Sequence, residues 1–335
     1  MKSVTVPGNL LVTGEYAVTE EGGIGMACAI APRVVAWVED APDLRVEGRI
    51  RKTVLEWRET GGSLAGGSRS GGSRSGGSRS GGLLEHIVPF LLDQQHSRRT
   101  GHVIVDSSAF FGPDGRKLGF GSSAAVTVAL ASLLGADPQT PDEEILHPAV
   151  AAHRHAQGGR GSGYDVAASL FGGAGLFTGG KHPSWEPRDG WWMGHASLVL
   201  NERHTDTVDA VRRHAAWRDS FPGTWQHLHA DSEAATRRLA GAETWRDVKA
   251  AIVHARHVGR EIGAAVGVPA CIDTAFEDHI PKGDTVCKSV GAGSELMLCL
   301  ANPEDLDSDR AYPGEANDHS HVLPLILEEE GLRWE

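Results

Sequence analysis

Residues 117–130 read KLGFGSSAAVTVAL, and the apolar run continues to Gly135. Glycines and small hydroxyl residues, the least ordering residue types, stand directly ahead of a segment with helical spacing. A helix N-terminus exposes unpaired amide N–H groups and the positive end of the helix dipole, and small residues let a phosphate approach that backbone closely. Gly119 and Gly121 supply unusual torsions, while Ser122 and Ser123 bring hydroxyls that can donate to phosphate oxygens or ligate a magnesium ion. The plainer alternative is a loop-to-helix junction with Ser122 or Ser123 as N-cap. The stretch is not the G-x-x-x-x-G-K-[ST] phosphate loop, because its lysine, Lys117, comes before the glycines.

Upstream of this stretch, residues 10–13 and 27–38 read as two strands joined by Gly22, Gly23 and Gly25, the second alternating as a half-buried strand does. Residues 66–82 repeat GGSRS three times and close with Gly81 and Gly82. That composition cannot offset the entropy of ordering itself and predicts a flexible surface insertion, with an Arg-rich tether for an acidic partner as the alternative. The following LLEHIVPFLLDQQ puts Leu84, Ile87, Val88, Leu91 and Leu92 on one helical face, with Pro89 kinking or breaking the helix. GHVIVDSS reads as a strand. Thr140, Pro141 and Glu143 predict a capping-box start for the next helix, which Pro148 divides in two. Beyond the glycine-rich AGLFTGG and a Pro/Trp-rich stretch, the strand ASLVL restarts the pattern. A helix over residues 244–266 then carries Val248, Ile252, Ala255 and Ile262 at core spacing, and the β-like TVCKSVGAGSELMLCLA follows.

The chain of 335 residues is long enough for two domains of about 150 residues, each burying its own core. The change of pattern places them at residues 1–190 and 191–335. A net charge of -12 argues against a nucleic-acid or anionic-membrane partner, so an anionic ligand must meet locally arranged positive groups. Cys28, Cys271, Cys287 and Cys299 form no C-x-x-C pair, which indicates neither a zinc site nor a disulfide framework and suits a reducing compartment. The opening MKSVTVPGNLLVTGEYAV has no apolar segment of signal-peptide length, and no apolar run reaches the roughly 18 residues of a membrane span. A cytoplasmic protein acting on small molecules, as a monomer or homodimer, is expected. Trp185, Trp191 and Trp192 near the domain boundary are expected to pack, the alternative being a gate over the cleft.

Three further stretches occur in order around GFGSSAA: PGNLLVTGEYAV from Pro7, QGGRGSGYDVAASLFGG from Gln157 and KSVGAGSELMLCL from Lys288. Together they resemble the GHMP kinases, the superfamily of galactokinase, homoserine kinase, mevalonate kinase and phosphomevalonate kinase. KLGFGSSAA with its leading lysine and GSGYDVAASLFGG look most like the phosphomevalonate kinases, particularly bacterial ones. The resemblance implies an α+β, two-layer fold: an N-terminal domain like the second domain of ribosomal protein S5 and a ferredoxin-like C-terminal domain, with ATP and acceptor meeting between them. It further implies that Gly119, Gly121, Ser122, Ser123 and Ala124 wrap the ATP phosphates, that Gly291, Ala292 and Gly293 support them from the second domain, and that Mg²⁺ is held near Ser122.

By the same resemblance Asp165 falls where related kinases carry a catalytic aspartate; its alternative is a carboxylate capping or opening the helix DVAASLF. Glu15 and Tyr16 border the acceptor pocket, or else form a strand-end pair with a surface carboxylate. Arg160, Ser162 and Gly163 are candidate acceptor contacts, against a turn serine and a solvated arginine. Lys117 stabilises charge in flight, or is a solvated lysine on its loop. The chain also departs from the pattern: Asn9 stands where many relatives have lysine, Ser294 and Glu295 follow GAG, and the helix before GSGYD offers His153, Arg154 and His155 where mevalonate kinases carry a magnesium carboxylate.

Phosphoryl transfer is mainly alignment and charge neutralisation. An alcohol acceptor benefits from a base, whereas a phosphate monoester, with a second pKa of about 6, is already largely ionised, and repulsion between anions becomes the obstacle. The expected reaction is ATP-dependent phosphorylation of 5-phosphomevalonate to 5-diphosphomevalonate. The alternatives are a related kinase acting on an alcohol, mevalonate or a sugar, and a non-catalytic metabolite-binding relative.

Overall fold

The computed structural model describes residues 2–59, 81–94, 100–159, 161–200, 207–268, 283–291, 296–303 and 322–335. Its spine is the antiparallel pair β1 (Lys2–Thr13) and β2 (Ile24–Glu39), rich in β-branched residues such as Val4, Val6, Val12 and Val34 that are wholly buried. The pairing slips between Pro7 and Gly8 and again between Leu11 and Thr13. Proline has no N–H for the ladder, so a bulge at Pro7 is where such a break is tolerated.

The far edge of β2 is shared. Its C-terminal half pairs with β5 (Gly101–Asp106) and its N-terminal half with β6 (Ala174–Thr178), both antiparallel. Beyond β5 lie β3 (Leu44–Ile50), parallel to it, and β4 (Thr53–Arg58); beyond β6 lies β7 (Ser184–Arg188). Helices α1 (Gly81–Gln94), α2 (Ser122–Gly135), α3 (Asp142–Ala156) and α4 (Tyr164–Phe171) complete this unit. From Ala124 to Leu134 every residue of α2 is buried, so it is the central helix, packed between the sheet and α3.

A second sheet holds β8 (Ala196–Leu200), β9 (Thr285–Val290), β10 (Leu296–Ala301) and β11 (Val322–Pro324) in the order β11-β8-β10-β9, all antiparallel. Counted along the chain that order is fourth, first, third, second, as in a split β-α-β arrangement. Helices α5 (Thr207–Ser220), α6 (Pro222–Ala240) and α7 (Trp245–Val266) belong with it; Thr244 caps α7 by accepting from the Asp247 amide. The sheets part near residue 190, but the chain end comes back to the first: β12 (Arg333–Trp334) pairs with β1, and Leu327 bridges to Ile30. Arg33 fastens this return, pairing with Glu328 at 2.7 Å and donating to the carbonyls of Thr5 at 3.1 Å and Glu330 at 3.0 Å.

Several local expectations are overturned. Pro141 itself is the N-cap of α3, and Thr140 is engaged with Asp137 instead of capping the helix. Pro148 does not divide α3, nor does Pro89 break α1. A proline removes one backbone bond, and burial of Ile145, Leu146, Ala149, Val150 and Ala152 on one face holds the α3 turns on either side together. Gly81 and Gly82 open α1, so the helix begins inside the expected GGSRS insertion, whose other residues lie outside the described ones. AGLFTGG and the Pro/Trp-rich stretch, given no element in the sequence reading, contain β6 and β7. Two of the scattered cysteines do meet: Cys287 and Cys299 face each other across β9 and β10 with their sulfurs 2.7 Å apart, as free thiols. The tryptophans pack, Trp192 being fully buried and Trp191 donating to the Ala242 carbonyl at 3.1 Å.

The helices of the second unit are tied to the start of the first by a buried aromatic contact. Tyr16 stacks on His214 of α5 with ring centroids 4.7 Å apart, and Trp225 of α6 meets the other side of His214 edge-on at 4.4 Å. Beside them Thr236 donates to Thr13 at 3.0 Å, and Arg218 pairs with Glu20 at 2.6 Å. Burial pushes His214 down from 6.5 to about 4. Between these two values the unfolded chain binds a proton that the folded chain does not, so His214 lowers stability as pH falls through this window. Its effect is absent above the window and levels off below it, at up to about 3 kcal/mol. His214→Phe keeps a stacking ring and removes the proton. Urea denaturation between pH 7 and 4 should show a smaller loss of stability in the variant; parallel curves would contradict the neutral, buried imidazole.

Candidate active site

Candidate residues from separate stretches meet where α2 and α4 begin. Gly119 and Gly121 have φ of 82° and 72°, left-handed values that favour glycine. Gly121 is the N-cap of α2 and no side chain caps the helix, so neither Ser122 nor Ser123 takes the plain N-cap role. Intrahelical pairing starts with the amides of Ala124 and Ala125, which reach the Gly121 carbonyl at 3.1 and 3.2 Å. The Ser122 and Ser123 amides ahead of them face out of the helix end. Ala124, expected to wrap the phosphates, has its side chain in the core and its amide engaged by the Gly121 carbonyl, so it offers neither.

The loop is held from beneath by β1. The Asn9 amide donates to the Phe120 carbonyl at 3.0 Å, and a Cβ on Gly8 would lie 2.5 Å from that oxygen. The Asn9 side chain, 3% exposed, donates to Ser169 of α4 at 3.0 Å and approaches the Gly121 carbonyl at 3.4 Å. Asn9, standing where the similar kinases often have lysine, is thus a brace joining β1, α2 and α4.

Next to Ser123, the last turn of α3 brings in His153, 1% exposed. Its Nε2 lies 3.3 Å from Ser123 Oγ and its Nδ1 3.4 Å from Asp165 Oδ2. Asp165 stands in the first turn of α4, where its Oδ1 accepts from the Val166 amide at 2.9 Å. Burial opposes the charge on this carboxylate, yet His153 and the helix amides together hold its pKa below the ordinary value. Gly163, with φ of 94°, is the N-cap of α4. Ser162 offers its carbonyl to Arg154, which donates at 2.6 Å and also reaches the carbonyls of Gly161 at 2.7 Å and Gly180 at 2.9 Å. Arg154 thereby shapes the turn leading to Asp165, a function not visible in the sequence. Arg160 lies outside the described residues.

Glu15 has a partner that sequence reasoning missed. Lys288 on β9, 1% exposed, reaches from the second sheet to the Glu15 carboxylate and donates to the Ser289 carbonyl at 2.6 Å. Burial raises the pKa of Glu15, opposed by the Lys288 ammonium. Tyr164 senses both carboxylates: burial above all, then Asp165 and Glu15, pushes its phenol upward. Glu15 and Asp165 therefore lie in one electrostatic neighbourhood, while the Tyr16 ring is taken by the His214 stack. Gly291 follows β9 with φ of 68°, and a Cβ there would meet nothing within 4 Å among the described residues. Ala292 and Gly293, like Ser294 and Glu295, lie outside the described residues. Lys117 is exposed on a turn closed by its bridge to Phe111.

A triphosphate suits outward amides behind two left-handed glycines. Among the described residues no group of three or more His, Cys, Asp or Glu side chains is placed to hold a metal ion. Magnesium needs less than that, since it keeps several waters and is commonly held by substrate phosphates with one or two protein oxygens. Ser122 Oγ, at the loop, is a hard oxygen donor of the right kind. No helix among the described residues is long and apolar enough to cross a membrane.

Residues 97–173 match the family model described as GHMP kinases N terminal domain. A phosphomevalonate kinase of Streptomyces sp. (strain CL190) is 29% identical over 182 residues, which take in 50% of this chain and 46% of that protein. The match thus spans about half the length of this curated relative. Among solved structures, the Lin0012 protein from Listeria innocua superposes with a TM-score of 0.72 at 19% identity, covering 89% of this chain and 90% of that one. Streptococcus pneumoniae phosphomevalonate kinase in complex with phosphomevalonate and AMPPNP gives 0.64 at 14%, covering 90% and 92%. The complex of MDDEF with MVAPP, AMPPCP and magnesium gives 0.66 at 12%, covering 100% and 98%.

The geometry beneath the loop makes Gly121 intolerant of a side chain. A Cβ there would sit 2.1 Å from Asn9 Nδ2, on a backbone whose φ already disfavours alanine. Gly121→Ala is expected to cost at least about 2 kcal/mol in urea denaturation. Adding Asn9→Ala relieves the clash, so the double variant should lose clearly less than the sum of the two single losses. Strict additivity would show that the two residues do not collide.

Proposed function

From a chain that carries a GHMP kinase N-terminal domain over residues 97–173 and has the GHMP kinase fold, we propose an ATP-dependent phosphotransferase that converts 5-phosphomevalonate to 5-diphosphomevalonate. The observation that carries this reading is the meeting of two helix N-termini, α2 behind Gly121 and α4 behind Gly163, across the line Ser123–His153–Asp165. The curated relative that acts on phosphomevalonate supports the choice of acceptor.

In this reading the amides of Ser122 and Ser123 receive the nucleotide's phosphates, assisted from β9 by the turn at Gly291. An oxygen of the acceptor phosphate bonds to the terminal phosphorus as the bond from that phosphorus to the ADP oxygen breaks. Ser122 Oγ would be the protein ligand of a magnesium ion, which would supply charge neutralisation on the nucleotide's phosphates. No strong base is required, because the acceptor is already largely ionised, and a carboxylate held below its ordinary pKa is a poor one. Asp165 accordingly orients the acceptor. The larger obstacle is repulsion between two anions; helix N-termini, Lys117 and Lys288 are the positive groups that offset it. Glu15, Ser162, Gly163 and, by the resemblance, Arg160 border the acceptor.

Release of ADP from ATP and magnesium in the presence of mevalonate, 5-phosphomevalonate or a hexose tests this directly. Turnover is expected with the phosphorylated acceptor alone. Turnover of mevalonate but not its phosphate would overturn the choice of acceptor, and calorimetric binding of AMPPNP without turnover of any acceptor would favour a binding protein. Lys117→Ala is expected to lower kcat by at least about a hundredfold, roughly 2.7 kcal/mol of transition-state stabilisation, with the fold intact. An unchanged kcat would remove Lys117 from the mechanism.

A further inference from the structure

His153 is buried at the junction of three helices, yet the fold has no evident need of it there. An apolar residue would fill the space at the C-terminal end of α3 without bringing two polar nitrogens into the core. Both nitrogens are instead aimed at candidate site residues. Nε2 lies 3.3 Å from Ser123 Oγ and 3.4 Å from Gln157 Nε2. Nδ1 is buried, has no hydrogen-bond partner of ordinary geometry, and faces Asp165 Oδ2 at 3.4 Å.

These contacts assign the proton. The Gln157 amide nitrogen can only donate, so Nε2 accepts from it and from the Ser123 O–H, and Nδ1 carries the hydrogen and directs it at the carboxylate. The helices reinforce the arrangement, because Asp165 sits at the positive end of α4 and His153 at the negative end of α3. A closure of a few tenths of an ångström turns the 3.4 Å contact into a hydrogen bond.

We infer that His153 is the positioning residue of this site, whose two nitrogens separately hold Ser123, with its outward amide, for the nucleotide and the Asp165 carboxylate for an anionic acceptor. This inference rests on the phosphotransferase reading. Without His153 the carboxylate would keep only the Val166 amide on Oδ1, leaving Oδ2 to turn toward the acceptor and repel its phosphate, so the Nδ1 contact favours phosphorylated over neutral acceptors. The Nε2 contact holds Ser123 in the turn of α2 that receives the nucleotide.

Two substitutions separate the contacts. The amide of asparagine ends level with Nδ1, so His153→Asn retains a donor to Asp165 and abandons Ser123. The longer glutamine reaches the level of Nε2, so His153→Gln retains the Ser123 contact and abandons Asp165. With 5-phosphomevalonate, ATP and magnesium, H153Q is expected to lower kcat/KM for the acceptor about tenfold or more while KM for ATP stays within about threefold. H153N is expected to do the reverse, raising KM for ATP by more than about threefold with acceptor KM nearly unchanged. Thermal melts identify any variant that fails to fold. Should either variant do so, the double-mutant cycle of Asp165→Asn with the folded one reads the same coupling. Equal effects of both variants on both substrates, or no effect of either, would overturn the inference. If the wild-type protein turns over no acceptor, the phosphotransferase reading fails instead. Calorimetry with AMPPNP then still reads the Ser123 contact: weaker binding by H153N than by H153Q supports it, and equal affinities overturn it.

Discussion

The approach of β1 to the loop ahead of α2 is the constraint on which the site depends. Gly8 has no side chain because the Phe120 carbonyl occupies the space a Cβ would need, and Asn9 donates to that same carbonyl. From there the Asn9 side chain reaches α4 through Ser169. One strand position therefore fixes the relative placement of two helix N-termini. Because α2 is buried along its length between sheet and α3, its N-terminus cannot drift without disturbing the core. A rigid scaffold presenting outward amides is what preorganised recognition of a phosphate requires.

The charge of the chain gives this arrangement its significance. At a net charge of -12 the protein has no general attraction for anions, so binding them depends on where a few positive groups stand. Backbone amides and helix ends do not appear in a count of charged residues. They supply fixed partial charges that cost little reorganisation, and an acidic chain can use them without altering its net charge.

The motif around Gly121 was legible because its chemistry is local: glycines, hydroxyls and a following apolar run occupy consecutive positions. The same holds for α7, whose core spacing and Thr244 cap can be read directly. Pro148 misled the reading of α3, since a single missing backbone bond is outweighed when the turns on both sides bury apolar residues. β6 and β7 were missed because glycine, proline and tryptophan obscure the alternation; pairing of β6 with β2, and of β7 with β6, supplies what propensity does not. The partners of Asp165 and Glu15 were not legible for a different reason. His153 and Lys288 lie 12 and 273 positions away from them, in segments whose own patterns announce only a helix and a strand. Long-range ion pairs leave no periodic signature, and a lysine in a strand reads as an exposed face until the fold buries it.

Those two partners change what the carboxylates can do. Taken alone, Glu15 and Asp165 would make the candidate site doubly negative, an environment hostile to a substrate bearing phosphate. In the fold each faces a positive or hydrogen-donating group, Lys288 for Glu15 and His153 for Asp165. The pairs differ in construction. Lys288 reaches across from the second sheet, so its contact depends on how the two units sit together, whereas His153 and Asp165 belong to neighbouring helices of one unit. On the proposed reading this separates two tasks. The His153 contact is built into the rigid unit that receives the nucleotide, and the Lys288 contact joins the two sides of the cleft. An incoming acceptor phosphate would compete with Glu15 for the Lys288 ammonium, and by doing so would couple its own binding to the fit between the two sheets.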